Sequence, residues 1–154
     1  MTPFPLEPVR SLGPMRVVVT TFPSREAAVA AVDAVLGKEL AACANIVPAH
    51  SRYWWKGRLE SADESLVLFK TVPKRVGALF RFLETHHPYD VPEIVELDVP
   101  RVGAGYLAYL AETLDPNSPP PPMGGGPLTR RAAPKARGAR RPGRTRAPRR
   151  RPSR

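Results

Sequence analysis

Two adjacent histidines, His86 and His87, are the first candidates for chemistry in this 154-residue chain. Imidazole is a good ligand for copper, zinc and nickel. A plainer role is also open to them, because a histidine near a helix C-terminus caps carbonyls and offsets the helix dipole. Neighbouring helical residues point about 100° apart, so both rings reach one ion only if the helix unwinds before Pro88. Cys43 lies between Ala42 and Ala44. A lone thiol among small residues is ordinarily a buried small hydrophobe; a ligand or redox thiol is the alternative reading. Lys70 closes the apolar run Leu66-Val67-Leu68-Phe69 and shares a face with Leu66 and Leu68. A half-buried ammonium there needs an anionic partner. Glu93 is one candidate. Glu64, at the far end of the same strand, is another, reached more readily from a neighbouring subunit. The pair is either a structural ion pair or one side of an intersubunit pocket for a small anionic ligand, walled by Tyr53, Trp55 and Tyr89. The run Tyr53-Trp54-Trp55 could stack bases or sugars, but reads first as contact between subunits, with a pocket wall as the main alternative.

Several activities are excluded by what the chain lacks. It carries no G-x-S-x-G, no G-x-x-x-x-G-K-[ST], no H-E-x-x-H and no G-x-G-x-x-G after a strand. No nucleophile, base and orienting group stand together, so the expectation is a non-enzymatic protein. One cysteine excludes an intrachain disulfide framework. With no apolar run of about 18 residues and no signal-like leader, the chain reads as soluble and intracellular.

The net charge of +10 is unevenly placed. Residues 1–115 hold 12 basic and 14 acidic side chains, a net of −2. Residues 116–154 hold 12 basic and none acidic. Basicity therefore belongs to the C-terminal segment, which is rich in Pro, Gly and Arg and reads as a disordered tail. Its arginines suit non-specific nucleic-acid contact through counterion release, without base readout. The Pro-rich residues 1–14 read as a disordered leader, and Met15, just before the first strand-like run, is an alternative start.

The elements that must position the candidate groups lie between these segments. Arg16–Phe22 is a β-branched run that suits a buried strand. Ser24 is an N-cap for a helix over about 25–40, with Val29, Val32, Leu36 and Leu40 at helical spacing. Ala41–Val47 is a strand interrupted by Pro48, resuming at Ser51–Lys56; a proline there indicates an edge strand or a bulge. Gly57 makes a tight bend into the strand Glu64–Thr71. Pro73 opens a second helix that Pro88 ends near His87. Glu93–Val99 alternates as a strand, and Gly103–Leu114 is a last helix with Leu107, Leu110 and Leu114 inward. The order β-α-β-β-α-β plus a helix is an α+β, ferredoxin-like pattern, with strands one and three in the middle of the sheet. The long aromatic hairpin is an exposed edge that invites self-association.

Two blocks in this region carry a resemblance. They are Leu40-Ala41-Ala42-Cys43-Ala44-Asn45-Ile46-Val47-Pro48 and His86-His87-Pro88-Tyr89-Asp90-Val91-Pro92-Glu93-Ile94, with Ser51–Gly57, Glu64 and Lys70-Thr71 between them. In that order and spacing residues 15–114 closely resemble the CutA divalent-cation-tolerance family. The resemblance implies a ferredoxin-like subunit in a tight homotrimer, similar in architecture to the trimeric PII nitrogen-regulatory proteins. It implies a cytoplasmic role in tolerance of divalent metals, copper above all. It also implies a metal site in which the histidine pair joins a thiol on the first strand. The matching position here is Thr20. A hydroxyl is a poor substitute for thiolate at a soft copper site, so Cu2+ should be held weakly here.

Overall fold

The computed structural model describes residues 13–115 and Asn117. The strands are β1 (Met15–Phe22), β2 (Cys43–Trp55), β3 (Arg58–Thr71) and β4 (Ile94–Val99). The helices are α1 (Arg25–Gly37), α2 (Pro73–His86) and α3 (Ala104–Leu114). All strand pairs are antiparallel, in the order β2-β3-β1-β4. The two Val- and Leu-rich strands are therefore central and the other two are edges, as the alternation requires. Of the leader expected over residues 1–14 and the tail expected over 116–154, residues 1–12, 116 and 118–154 lie outside the described residues.

One face of the sheet carries α1 and α2. Val18, Phe22, Val67 and Phe69 point to it and meet Ala28, Val32 and Val35 of α1 and Leu79 and Leu83 of α2. Each fully buried side chain of Val, Leu or Phe size contributes about 1.5–3 kcal/mol by leaving water. The buried stripe of α1 runs through Ala28, Val32 and Val35, one position off the expected line through Val29 and Leu36. Alanine at 28 lets the helix lie close to the sheet, which turns Val29 partly outward. The helix also stops at Gly37 rather than near 40, because Glu39 takes a positive φ of 54° and Leu40 N–H folds back onto the Val35 carbonyl.

Pro48 does not interrupt β2. Pairing with β3 is continuous from Cys43–Lys70 to Trp55–Arg58. An edge strand tolerates a missing N–H on its outer side. The hairpin closes on Lys56 and Gly57, with φ of 48° and 76°, the primed geometry of a two-residue turn.

The other sheet face presents Val17, Val19, Leu66, Leu68, Val95 and Leu97. Val95 and Leu97 are 41% and 47% exposed, and Trp54 on the arm is 74% exposed. In a single subunit this apolar surface is only partly covered. The last helix, α3, sits at its Cys43 end, where Leu110 and Leu114 are buried. No helix among the described residues is long and apolar enough to cross a membrane.

Candidate functional site

Thr20, on the helix-facing side of β1, sits beneath the C-terminus of α2. His87 ends that helix in an extended conformation, with φ −69° and ψ 139°, so the helix does unwind just before Pro88. The two imidazoles nonetheless go separate ways. His87 stacks on Phe22 with centroids 4.6 Å apart. Its Nδ1 accepts the Tyr89 N–H at 3.1 Å. The ring proton is therefore on Nε2, which lies 3.1 Å from Thr20 Oγ1 and donates to it. Burial lowers the His87 pKa, against the opposing pull of the Thr21 backbone and the Glu64 charge. It is a neutral, fully engaged ring.

The neighbouring His86 is exposed and folds back along α2. It stacks on Phe82 at 4.3 Å, and its Nδ1 donates to the Phe82 carbonyl at 2.9 Å. That arrangement leaves Nε2 with its lone pair outward, the tautomer a metal-binding histidine needs. No cluster of three or more His, Cys, Asp or Glu side chains suited to a metal occurs among the described residues. The expected His86–His87 pair is thus one available donor and one occupied one.

Within one subunit Lys70 finds no carboxylate partner among the described residues, and the contact with Glu64 of a neighbouring subunit stays an expectation. Neither Glu93 nor Glu64 forms an ion pair with it among the described residues. It stands opposite Cys43 in the β2–β3 register, six residues along the strand from Glu64. Burial lowers its pKa, while the nearby Cys43 thiol pulls the other way. Cys43 itself is half-buried, with Sγ 2.8 Å from the Tyr106 hydroxyl of α3. Tyr106 and Tyr109 both have raised pKa values, first through burial and then through Cys43. This cluster ties α3 to the sheet, helped by the Tyr109 hydroxyl donating to the Ala42 carbonyl.

The remaining candidates do meet. Tyr53, Trp55, Glu64, Tyr89 and Glu93 line one cavity of about 520 Å3 at the base of the β2–β3 arm, together with Asp90. Strand parity explains the gathering: Ser51, Tyr53 and Trp55 of β2, Glu64 of β3 and Thr21 of β1 all fall on the face opposite the helices. The loop from His87 to Glu93 then wraps the sheet end and delivers Tyr89, whose hydroxyl donates to Glu64 Oε1 at 2.8 Å. Burial and that carboxylate push the Tyr89 pKa up to about 12. Lys70 is absent from the lining.

Arg16 is a buried charge that motif and spacing do not single out. Only 2% exposed, it donates from Nε to Glu96 Oε1 at 2.8 Å and from Nη1 to Asp98 Oδ1 at 2.7 Å. Asp98 also accepts the Gly13 N–H at 2.8 Å, so the fold takes in residues 13 and 14 ahead of Met15. A signal for it does exist in the chain: Glu96 and Asp98 lie two apart on one face of β4, directly where a basic side chain on β1 would meet them.

The CutA1 divalent ion tolerance protein family matches residues 16–113, which is nearly the whole described fold. This chain belongs to that family. The Divalent-cation tolerance protein CutA of Pyrococcus horikoshii is 39% identical over 98 residues, covering 64% of this chain and 96% of that protein. The Escherichia coli K12 protein of the same description is 38% identical over 99 residues, covering 64% and 88%. The rice Protein CutA 1, chloroplastic, is 35% identical over 106 residues, and the matched part spans only 60% of its length. Among solved structures, the CutA of Archaeoglobus fulgidus, described as a periplasmic divalent cation tolerance protein, superposes with a TM-score of 0.64. It is 31% identical and covers 66% of this chain and 99% of that one. The CutA1 framework accounts for β1 through α3; residues before 16 and after 113 fall outside the match.

Proposed function

We propose that this chain acts in divalent-cation tolerance as a homotrimer of PII-like architecture, and that its role is binding rather than catalysis. Family membership over residues 16–113 carries the reading. The uncovered apolar face through Val95 and Leu97 and the exposed arm bearing Trp54 support self-association, since a second copy is the simplest cover for an edge and a face of that size. The cation of this proposal is Cu2+, held weakly. His86 offers one outward Nε2 donor per subunit, while His87 is committed to Thr20 and Tyr89. The compartment proposed is the cytoplasm, and the folded unit proposed is residues 15–115, extended upstream by Gly13 and Pro14, with a leader before it and a basic tail suited to non-specific polyanion contact.

Calorimetric titration of Cu2+ into wild type, His86→Ala and His87→Ala tests the metal reading. Binding is expected to be lost in the first variant and retained in the second. Equal affinities across all three would remove the histidines from the account.

The rival reading is a PII-like sensor for a small anion in a cleft between subunits; within one subunit Lys70 lies at the other end of β3 from the cavity.

A further inference from the structure

We propose that the cavity at the base of the β2–β3 arm binds a small organic cation: a protonated amine or guanidinium carried on an apolar body. This goes beyond the metal-tolerance reading; the cavity lies on the sheet face that the proposed trimer meets, so the binding test uses the assembled full chain.

Three observations define the ligand. First, the charge of the lining is negative. Glu64, Asp90 and Glu93 all border the cavity, and Arg52 is the one basic residue there. Strand alternation sends the Arg52 side chain to the face opposite Ser51 and Tyr53. An anion would meet three carboxylates against the single basic side chain of Arg52, whereas an ammonium or guanidinium meets the groups that pair with it.

Second, the walls are aromatic. Tyr53, Trp55 and Tyr89 surround the same space. Cations sit favourably over such rings, and the best ring for this is tryptophan. Trp55 already draws one: Lys56 Nζ lies 5.8 Å from its ring centroid. A bare divalent ion gains little from three rings, and no three-ligand metal cluster occurs among the described residues. An organic cation uses both halves of the lining.

Third, the polar groups are held in place. The Tyr89 hydroxyl stays protonated, its pKa raised to about 12, and donates to Glu64 Oε1 at 2.8 Å. That bond fixes the carboxylate and leaves its second oxygen for a ligand donor. The Tyr89 ring is itself oriented by the tilted His87 ring 5.2 Å away. At about 520 Å3 the space falls in the ordinary range for small-molecule sites.

The test is calorimetry on the full chain in excess EDTA, which silences any metal. The probes are agmatine and tetramethylammonium, with glutarate as a dianion of similar length. Agmatine and tetramethylammonium are expected to bind, and glutarate to give no heat. The Glu64→Gln/Glu93→Gln double variant should lose about tenfold or more in agmatine affinity, and Trp55→Leu should weaken tetramethylammonium. Glutamine at 64 still accepts from Tyr89, so the fold is kept, and unchanged melting temperatures confirm it. No binding by either cation, preferential binding of glutarate, or agmatine affinity unmoved by the double variant would each overturn the proposal. Because EDTA is present throughout, failure here leaves the outcome of the Cu2+ titration untouched.

Discussion

His87 Nε2 donates to Thr20 Oγ1 across 3.1 Å, and this contact joins the end of α2 to the middle of β1. The CutA resemblance places a metal-binding thiol at position 20; here a hydroxyl occupies it and the imidazole has turned to hydrogen bonding. The second ring nitrogen holds the Tyr89 N–H at 3.1 Å. One ring therefore connects the helix, the central strand and the loop that shapes the cavity.

That contact makes stability depend on pH. The His87 pKa is lowered in the fold, chiefly by burial, so the unfolded chain takes up the proton first. Stability contributed by the neutral ring is present above the ordinary imidazole value of ~6.5 and is lost as pH falls below it. Wild type should lose melting temperature between about pH 7.5 and about pH 5.5. His87→Asn should be less stable at the upper pH but lose less on acidification. Parallel pH slopes for the two proteins would contradict the assignment.

Introducing a thiol at position 20 should raise copper affinity. Thr20→Cys would put a soft ligand within reach of the His87 ring. We expect Cu2+ affinity to rise about tenfold or more over wild type, measured by calorimetry under argon on protein reduced beforehand and freed of the reductant. Unchanged affinity would mean that position 20 is not what limits metal binding here.

The Arg16 clamp is expected to be a large stability element. Arg16→Met leaves Glu96 and Asp98 facing each other without their cation. Both carboxylates are about two-fifths exposed, so the loss should fall below that of a fully buried pair, at about 2 kcal/mol. Arg16→Lys should recover only part of it, because a single ammonium cannot reach both carboxylates as the guanidinium fork does. Urea unfolding measures both. A change within the error of wild type for Arg16→Met would remove the clamp from the energetics.

Gly13 is the upstream end of the same clamp. A Cβ at this position would run into the Val99 carbonyl and the Pro100 backbone. Gly13→Ala should therefore release the segment from β4 and break its bond to Asp98. Hydrogen exchange at the β1–β4 edge should speed up while the α1–β3 core stays protected. Uniform protection in both proteins would contradict this.

The strand order, the helix-bearing face and the split between acidic and basic parts are legible in the sequence because each rests on local pattern. Val18, Phe22, Val67 and Phe69 alternate as a buried sheet face must, and Pro73 and Pro88 bracket α2. Three things are not legible, each for a physical reason. The buried face of α1 depends on Ala28, whose small size gives no hydrophobic signal of its own. The neighbour of Lys70 depends on the β2–β3 register, which sets it opposite Cys43. The tautomers of His86 and His87 depend on the carbonyl, hydroxyl and amide that each ring meets, which only the fold supplies. The cavity is half visible. Tyr53, Trp55, Glu64, Tyr89 and Glu93 stand out by residue type and do line it, while Lys70, grouped with them in a pocket between subunits, is not in the lining that one subunit provides.

Self-association is the claim on which the tolerance reading most depends, because the open face through Val95 and Leu97 and the arm through Trp54 have no other cover in the described fold. Sedimentation equilibrium of the full chain at micromolar concentration tests it directly. The account predicts a single species at three times the 16.9 kDa chain mass. A folded species at the mass of one chain would contradict it.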